Sequence, residues 1–400
     1  MTDAAYIAQA LTDSRENERR VFDLRGVSCC PSGIVPIVAI ADHYRRCGVD
    51  VRLDAPDGTD VARALNGFDT GRLAAVAVEE SGGTGASRMP NGVADPFDRV
   101  WRFSSYEEQN ALVNAMILRL GKGALLGKGV KEAFIWCLNE VMDNVLTHAS
   151  RDGGVPGYVM AHLDPATKRL KVCVFDLGMG LKASFVGSKY TPADDYDAIK
   201  MALMANVTSG IGQGNGLWGL HELIRRAEGG SVSLASGMAA YLFSPKDGID
   251  GRIDHRSLAG FEGTTLVDFR MTVSGEIAFD QVFPDVTPPV DLWQEAHEGE
   301  DGAVRYGILE VAGGSGNRPS AAALRNLVEN AIDNEGKMVT LDFDGVTFCS
   351  SAFIDELVGK LLVRYGFLAF TQKINLINVR GLSAQLVDHS IMERLMEVKG

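Results

Sequence analysis

The chain has 400 residues, 46% of them hydrophobic, and a formal net charge of −13. That length accommodates two to four domains, each with a core of its own. The acid excess argues against a general nucleic-acid binder, which needs a basic face. No apolar run is long enough to cross a membrane and the first twenty residues are polar, so neither a membrane span nor a signal peptide is expected.

The six cysteines, at 29, 30, 47, 137, 173 and 349, sit mostly in apolar runs and make no metal-ligand spacing with histidines. They read as buried thiols in a reducing compartment, and the expected location is cytoplasmic.

The chain opens on a pattern that returns near its end. Val21-Phe-Asp-Leu-Arg-Gly-Val-Ser-Cys-Cys-Pro-Ser-Gly33 parallels Thr340-Leu-Asp-Phe-Asp-Gly-Val-Thr-Phe-Cys-Ser-Ser-Ala352. Each copy reads as a buried strand, a turn, and a helix whose first turn carries a serine, namely Ser32 in one and Ser350 or Ser351 in the other. The helices are predicted over 34–46 and 353–365, closed by Gly48 and Gly366. Further strands follow over 50–53 and 375–379. Two small α/β domains are therefore expected, over 1–98 and 284–400, the second after the linker Pro284-Asp-Val-Thr-Pro-Pro289. A serine at a helix start is an ordinary N-cap, and equally a place where a phosphate is electrostatically favoured.

Residues 99–283 form the expected middle domain. A helix over 105–120 is broken by 121–129, and a second helix over 130–147 carries an apolar stripe of Phe134, Leu138, Val141 and Val145. Glu140 and Asn144 lie one turn apart on its other side. They are either a solvated polar face or a carboxylate and an amide oxygen suited to magnesium chemistry. His148, one turn further on, reads as a helix-end or site-lining residue.

A strand over 170–175 ends in Asp176-Leu-Gly178-Met-Gly180. This is either a plain Asx turn or an acceptor at the edge of a dry pocket, with glycines that let the backbone close on a flat ligand. A polar stretch over 187–210 follows and reads as a mobile lid, with Lys189 and Thr208 as minor candidates. Next, Gly212-Gln-Gly214-Asn-Gly216-Leu217 runs straight into an apolar helix, whose N-terminus makes an anion site. No Gly-Lys-Ser/Thr follows, so it is not a P-loop. Strands over 231–234, 240–243 and 263–271 complete an α/β sandwich with helices expected on one face.

This succession resembles the GHKL ATPase superfamily, which includes DNA gyrase, histidine kinases, MutL-type repair proteins and the serine kinases that inhibit sigma factors. The resemblance implies a Bergerat-fold mixed sheet that binds ATP and Mg2+. It implies Asn144 as the magnesium ligand and Glu140 as the general base. It implies Asp176, Gly178 and Gly180 at the adenine, and Gly212, Gly214, Gly216 and Leu217 at the phosphates. Thr264 or Thr265 would place a hydroxyl near Asp176. The C-terminal copy resembles STAS-like domains, especially the DUF4325 type, and the N-terminal copy is a more diverged match. Together the resemblances imply an α/β multidomain regulatory protein: a central ATPase or serine-kinase-like module with STAS-like flanks that engage a protein partner, a second copy or each other. An ATP-driven conformational clamp and a non-catalytic nucleotide-stabilised scaffold are the alternatives. A sensor histidine kinase is disfavoured, because no dimerisation helix with an exposed histidine precedes the module.

Overall fold

The computed structural model describes residues 19–24, 30–54, 64–65, 95–149, 154–208, 215–253 and 263–397. These fall into two compact units. One holds the described residues up to Met116 together with Val130–Pro289, and the other holds Ile117–Gly129 and the residues from Val290 onward.

The first unit begins with a strand–helix–strand module: β1 (Arg19–Asp23), α1 (Pro31–Arg46) and β2 (Asp50–Asp54), the two strands being parallel. Pro31 opens α1, where its missing N–H costs nothing, and Gly48 follows its end at φ +82°. From Ile34 to Asp42 every residue of α1 is buried, which marks a helix covered all round.

What covers it is the large sheet. β3 (Trp101–Phe103) is followed by α2 (Tyr106–Gly123), α3 (Val130–His148), β4 (Gly157–Asp164), β5 (Arg169–Asp176), α4 (Gly180–Ser184), α5 (Asp195–Ala202) and α6 (Gly216–Arg226). Then come β6 (Ser231–Ser236), β7 (Ala239–Ser244), β8 (Ile249–Ile253), β9 (Thr265–Thr272) and the short α7 (Phe279–Val282). The seven strands lie antiparallel in the order β3-β4-β5-β9-β6-β7-β8.

Strand alternation gives this sheet two buried faces. Tyr158, Met160, Cys173, Phe175 and Leu266 point to α1 and share one core with Phe22, Ile34 and Val38. α3 packs on β4 and β5, and α6 on β6 and β9. Helices therefore cover both faces, not one as expected. The sequence separates α1 from β4 and β5, the strands it packs on, by more than a hundred residues, so its apolar circumference could be seen but not its partner. Asp42 fixes the docking. It accepts the Tyr158 hydroxyl at 2.6 Å and pairs with Arg46 at 3.2 Å and Arg102 at 3.7 Å.

The second unit continues through α8 (Leu292–Glu295), β10 (Val304–Gly307), α9 (Ile308–Ala312), α10 (Arg318–Glu335), β11 (Val339–Asp342) and α11 (Ser351–Ile354). A π turn (Asp355–Gly359), α12 (Lys360–Lys373), β12 (Ile374–Ile377) and α13 (Gly381–Glu397) complete it. Its three strands are parallel in the order β10-β11-β12, around a core that includes Tyr306, Val328, Leu341, Phe353 and Leu357. The helix expected over 353–365 is thus interrupted by a wide turn. At Gly359 an added Cβ would lie 2.8 Å from Ser390 Oγ of α13 and 2.9 Å from Asp355 Oδ1, so the glycine lets α13 approach there. Gly366 does stop regular helix, at φ 74° and ψ 160°.

Cys30, Cys137, Cys173 and Cys349 are buried as expected, Cys47 is exposed at the end of α1, and Cys29 lies outside the described residues. Among the described residues no helix is long and apolar enough to cross a membrane.

Candidate functional site

The first unit contains a cavity of about 500 Å³ between α3, the ends of β5 and β9, α4 and the start of α6. Its size is that of a small-ligand site. Each wall follows from local sequence.

α3 keeps Phe134, Leu138, Val141 and Val145 in the core, which turns Glu140, Asp143, Asn144, Thr147 and His148 toward the cavity. Burial raises Glu140 above the ordinary carboxylate range, and the charge of Asp143 adds to the effect. Burial pulls His148 below its usual value, against the opposing influence of Asp143. Neutral imidazole is the form this wall favours.

The floor is set by strand register. Asp176 pairs with Thr265 and Val174 with Val267, so all four side chains share the face under α3 and line the cavity. Asp176 is 4% exposed, and burial pushes its carboxyl up to about 7 although the Gly178 N–H donates to Oδ1 at 2.8 Å and works in the other direction. Thr264, expected beside Asp176, is 1% exposed and does not line the cavity. Its carbonyl accepts from Ser236 Oγ at 3.0 Å and from the Gly237 N–H. Which of two adjacent threonines faces the cavity depends on strand parity, which the pairing with β5 fixes and a lone strand does not.

The turn after Asp176 is held from several sides. Met179 N–H donates to the Ala149 carbonyl at the end of α3, and Ser236 Oγ accepts the Leu181 N–H at 2.8 Å. Gly178 does not line the cavity but supports it: an added Cβ would sit 2.3 Å from the Ala149 carbonyl and 2.6 Å from Asp176 Oδ1. Gly180 lines the cavity at φ +73°, a conformation natural to glycine.

The far wall is the N-terminus of α6, with Asn215, Gly216 and Leu217. Asn215 does not cap the helix; its Oδ1 accepts the Asn206 N–H at 2.9 Å instead. Gly216 stands close against Glu140, whose Oε2 lies 2.4 Å from where a Cβ would be. Gly212 and Gly214 lie outside the described residues.

The segment expected to be a polar lid is structured as far as residue 208. α5 lies within it, Asp195 accepts the Met238 N–H at 2.9 Å, and Ala202, Val207 and Thr208 line the cavity. Lys189 is exposed, with its ammonium 5.1 Å from the Tyr190 ring, and takes no part in the wall.

Glu140, Asn144, Asp176, Gly180, Thr208, Gly216 and Leu217 therefore meet at one cavity. Sequence reasoning missed Tyr106, Trp136 and Thr147, which also line it, and Ser236, which supports it. Tyr106 and Thr147 share a hydroxyl contact at 3.2 Å, and the Trp136 ring packs at a tilt against Phe283, centroids 4.4 Å apart. Their signal was contact between distant helices, which no local motif carries. Among the described residues, no group of three or more His, Cys, Asp or Glu side chains is placed to hold a metal ion. Among the described residues that line it there is no lysine or arginine.

In the second unit, Ser350 acts as an N-cap, its Oγ accepting the Phe353 N–H at 3.0 Å, while Ser351 is exposed. Ser32 in α1 is half-buried, and its Oγ accepts from Arg270 Nη2 at 3.3 Å.

Residues 320–382 match the family described as STAS-like domain of unknown function (DUF4325). This segment is a STAS-like domain. It begins in α10 and ends at the start of α13, so its scaffold is the pair β11 and β12 with the helices between them. No curated protein matches the chain.

Proposed function

We propose that the first unit binds ATP with magnesium in this cavity as a Bergerat-type module of the GHKL kind, and that the chain is a regulatory protein whose STAS-like parts engage a protein partner. The observation that carries the reading is the polarity of the cavity. At one end is a buried carboxylate, Asp176, ringed by close backbone turns. At the other is the N-terminus of α6, pressed against Glu140 at Gly216. The first end suits a flat base with an exocyclic amine, and the second suits phosphates.

Roles follow from these positions. The Asp176 oxygen not bonded to Gly178 accepts from the adenine amine. The amides opening α6 bind phosphate oxygens. The Asn144 side-chain oxygen, which lines the cavity, is the group that would hold magnesium, and the ion would supply positive charge at the phosphates. With no lysine or arginine on the described walls, magnesium and the helix amides must offset the triphosphate charge. Glu140, made more basic by burial and Asp143, takes the proton of the attacking hydroxyl. That oxygen bonds to the γ-phosphorus as the bond to the ADP oxygen breaks. Attack by water gives an ATPase, and attack by a serine hydroxyl gives a protein kinase.

Incubation of the purified chain with γ-labelled ATP and magnesium tests the reading. The expected result is label released as phosphate or transferred to serine, and loss of either product in Glu140→Ala. Product formation unchanged by that substitution would remove Glu140 from the chemistry. No bound or converted ATP in the wild type would remove the reading itself.

A further inference from the structure

Tyr106 stands at the first position of α2 with 54% of its surface exposed, and it lines the cavity. A single exposed aromatic is ordinary on a protein surface. This one is held in place. Ser105 Oγ accepts the Glu108 N–H at 3.2 Å, while the Glu108 carboxylate accepts the Ser104 N–H at 2.6 Å and the Ser104 hydroxyl at 3.0 Å. The result is a reciprocal cap, with the carboxylate reaching one residue beyond the usual amide, and it fixes the turn that carries Tyr106. In that same turn, the buried Gln109 donates from Nε2 to the Asn139 carbonyl and to Asn139 Oδ1, each at 3.3 Å, which ties the start of α2 to α3. The Tyr106 hydroxyl meets Thr147 Oγ1 at 3.2 Å, so the ring is anchored at its far end as well.

That anchor decides which end of the cavity the ring attends. Thr147 lies two helical turns, about 10 Å, beyond Glu140 on α3. Glu140 is the residue that meets Gly216 at the start of α6. Just past Thr147, the Ala149 carbonyl accepts the Met179 N–H of the turn that follows Asp176. Tyr106 therefore stands at the Asp176 end, away from the N-terminus of α6. A flat base whose amine reaches Asp176 has one face toward the body of the site and one toward the mouth. An aromatic ring at the rim is suited to the second face, because a base and a tyrosine both present π surfaces that gain by stacking in place of water.

We infer that Tyr106 is a specificity-determining residue of this site, its ring stacking on the outward face of the base and covering the mouth of the cavity. The inference deepens the ATP reading and rests on it. Asp176 recognises one edge of the ligand, and Tyr106 requires that the group bearing that edge be flat and aromatic. Holding the ring beforehand matters for affinity. A side chain already fixed by the helix cap and by Thr147 loses little freedom when the ligand arrives, so more of the contact is retained as binding.

Calorimetric titration of the full chain with ATP and magnesium tests it, in wild type, Tyr106→Phe, Tyr106→Leu and Tyr106→Ala. The leucine and alanine variants are expected to lose at least about fivefold in affinity, the low end of what a base–aromatic stack contributes. Tyr106→Phe keeps the ring and gives up only the Thr147 contact, so its affinity should stay closer to wild type than to Tyr106→Leu. Leucine serving as well as phenylalanine overturns the inference, because leucine fills much the same space without a π face. Alanine binding as tightly as wild type overturns it too. Tyr106 is half exposed, so the urea midpoints of the four chains should coincide; if the alanine variant alone unfolds early, the comparison of leucine with phenylalanine still decides. A wild type that binds ATP while all four chains bind alike defeats only this inference, whereas a wild type that binds no ATP defeats the functional reading and this inference with it.

Discussion

Replacing Asp176 with asparagine should separate what the site needs from what the fold prefers. The Asp176 carboxyl stands at about 7 in the folded chain, against an ordinary value of 3.8, because it is buried. A carboxyl raised on folding destabilises the native state wherever it is ionised. Between pH 4 and pH 7 the native state holds a proton that the unfolded chain has lost, so stability falls as pH rises and levels off above about 7. At about 1.4 kcal/mol per pH unit, the whole effect is on the order of 4 kcal/mol, and about 3 kcal/mol of it falls between pH 5 and pH 8. Asparagine keeps an oxygen for the Gly178 N–H and has no charge to bury. It brings an amide N–H2 whose desolvation costs about 1–3 kcal/mol, but that cost is the same at both pH values and cancels from the comparison. Urea unfolding of wild type and Asp176→Asn at pH 5 and pH 8 should therefore give a variant about 3 kcal/mol better off, relative to wild type, at pH 8 than at pH 5. In thermal unfolding the same difference is roughly 5–10 °C. A mutational effect equal at the two pH values to within about 1 kcal/mol would refute the argument that burial charges Asp176 at a cost. The same substitution should abolish ATP binding at both pH values, because an amide N–H2 then faces the adenine amine.

Wild-type ATP affinity should hold above pH 7 and weaken toward pH 5 by up to about tenfold per pH unit, since protonation turns the accepting oxygen of Asp176 into a donor; an affinity flat from pH 8 to pH 5 counts against base recognition by this group. Gly178→Ala should lose ATP binding and about 1–3 kcal/mol of stability, because its methyl would collide with the Ala149 carbonyl and the Asp176 carboxylate; near-normal calorimetric binding would show that the turn is not confined as described. Asn144→Ala should lose magnesium-dependent ATP binding with far-UV circular dichroism intact, because its side chain lines the cavity from a half-buried position outside the core. Asp42→Ala should destabilise the first unit by about 3 kcal/mol, since it strips the buried Tyr158 hydroxyl and Arg46 and Arg102 of their shared partner; a urea midpoint within error of wild type would mean that α1 docks through apolar contact alone.

The parts of the fold legible in the sequence were those written in local periodicity. The apolar stripe of α3 forecast both its core face and the outward turn of Glu140 and Asn144. Gly48 and Gly366 forecast helix ends from the one residue that is comfortable at positive φ. The illegible parts needed pairing. The choice of Thr265 over Thr264 waited on register with Asp176. The placement of α1 on the back of the sheet waited on Asp42 meeting Tyr158, 116 residues away in sequence. The stretch over 187–210 looked like a lid because it is polar, yet as far as 208 it is ordered by side chains such as Asp195 that satisfy neighbouring backbone. The break over 121–129, which reads as a loop of the middle domain, belongs to the second unit, because its carbonyls find their partners on α10.

The most direct test of the central claim is a calorimetric titration of the purified chain with ATP at pH 8, with magnesium and then with the metal chelated. The account predicts saturable one-to-one binding that requires magnesium, is lost in Asp176→Asn and is not reproduced by GTP. Heat of binding absent in the wild type, or equal for GTP and for Asp176→Asn, would contradict it.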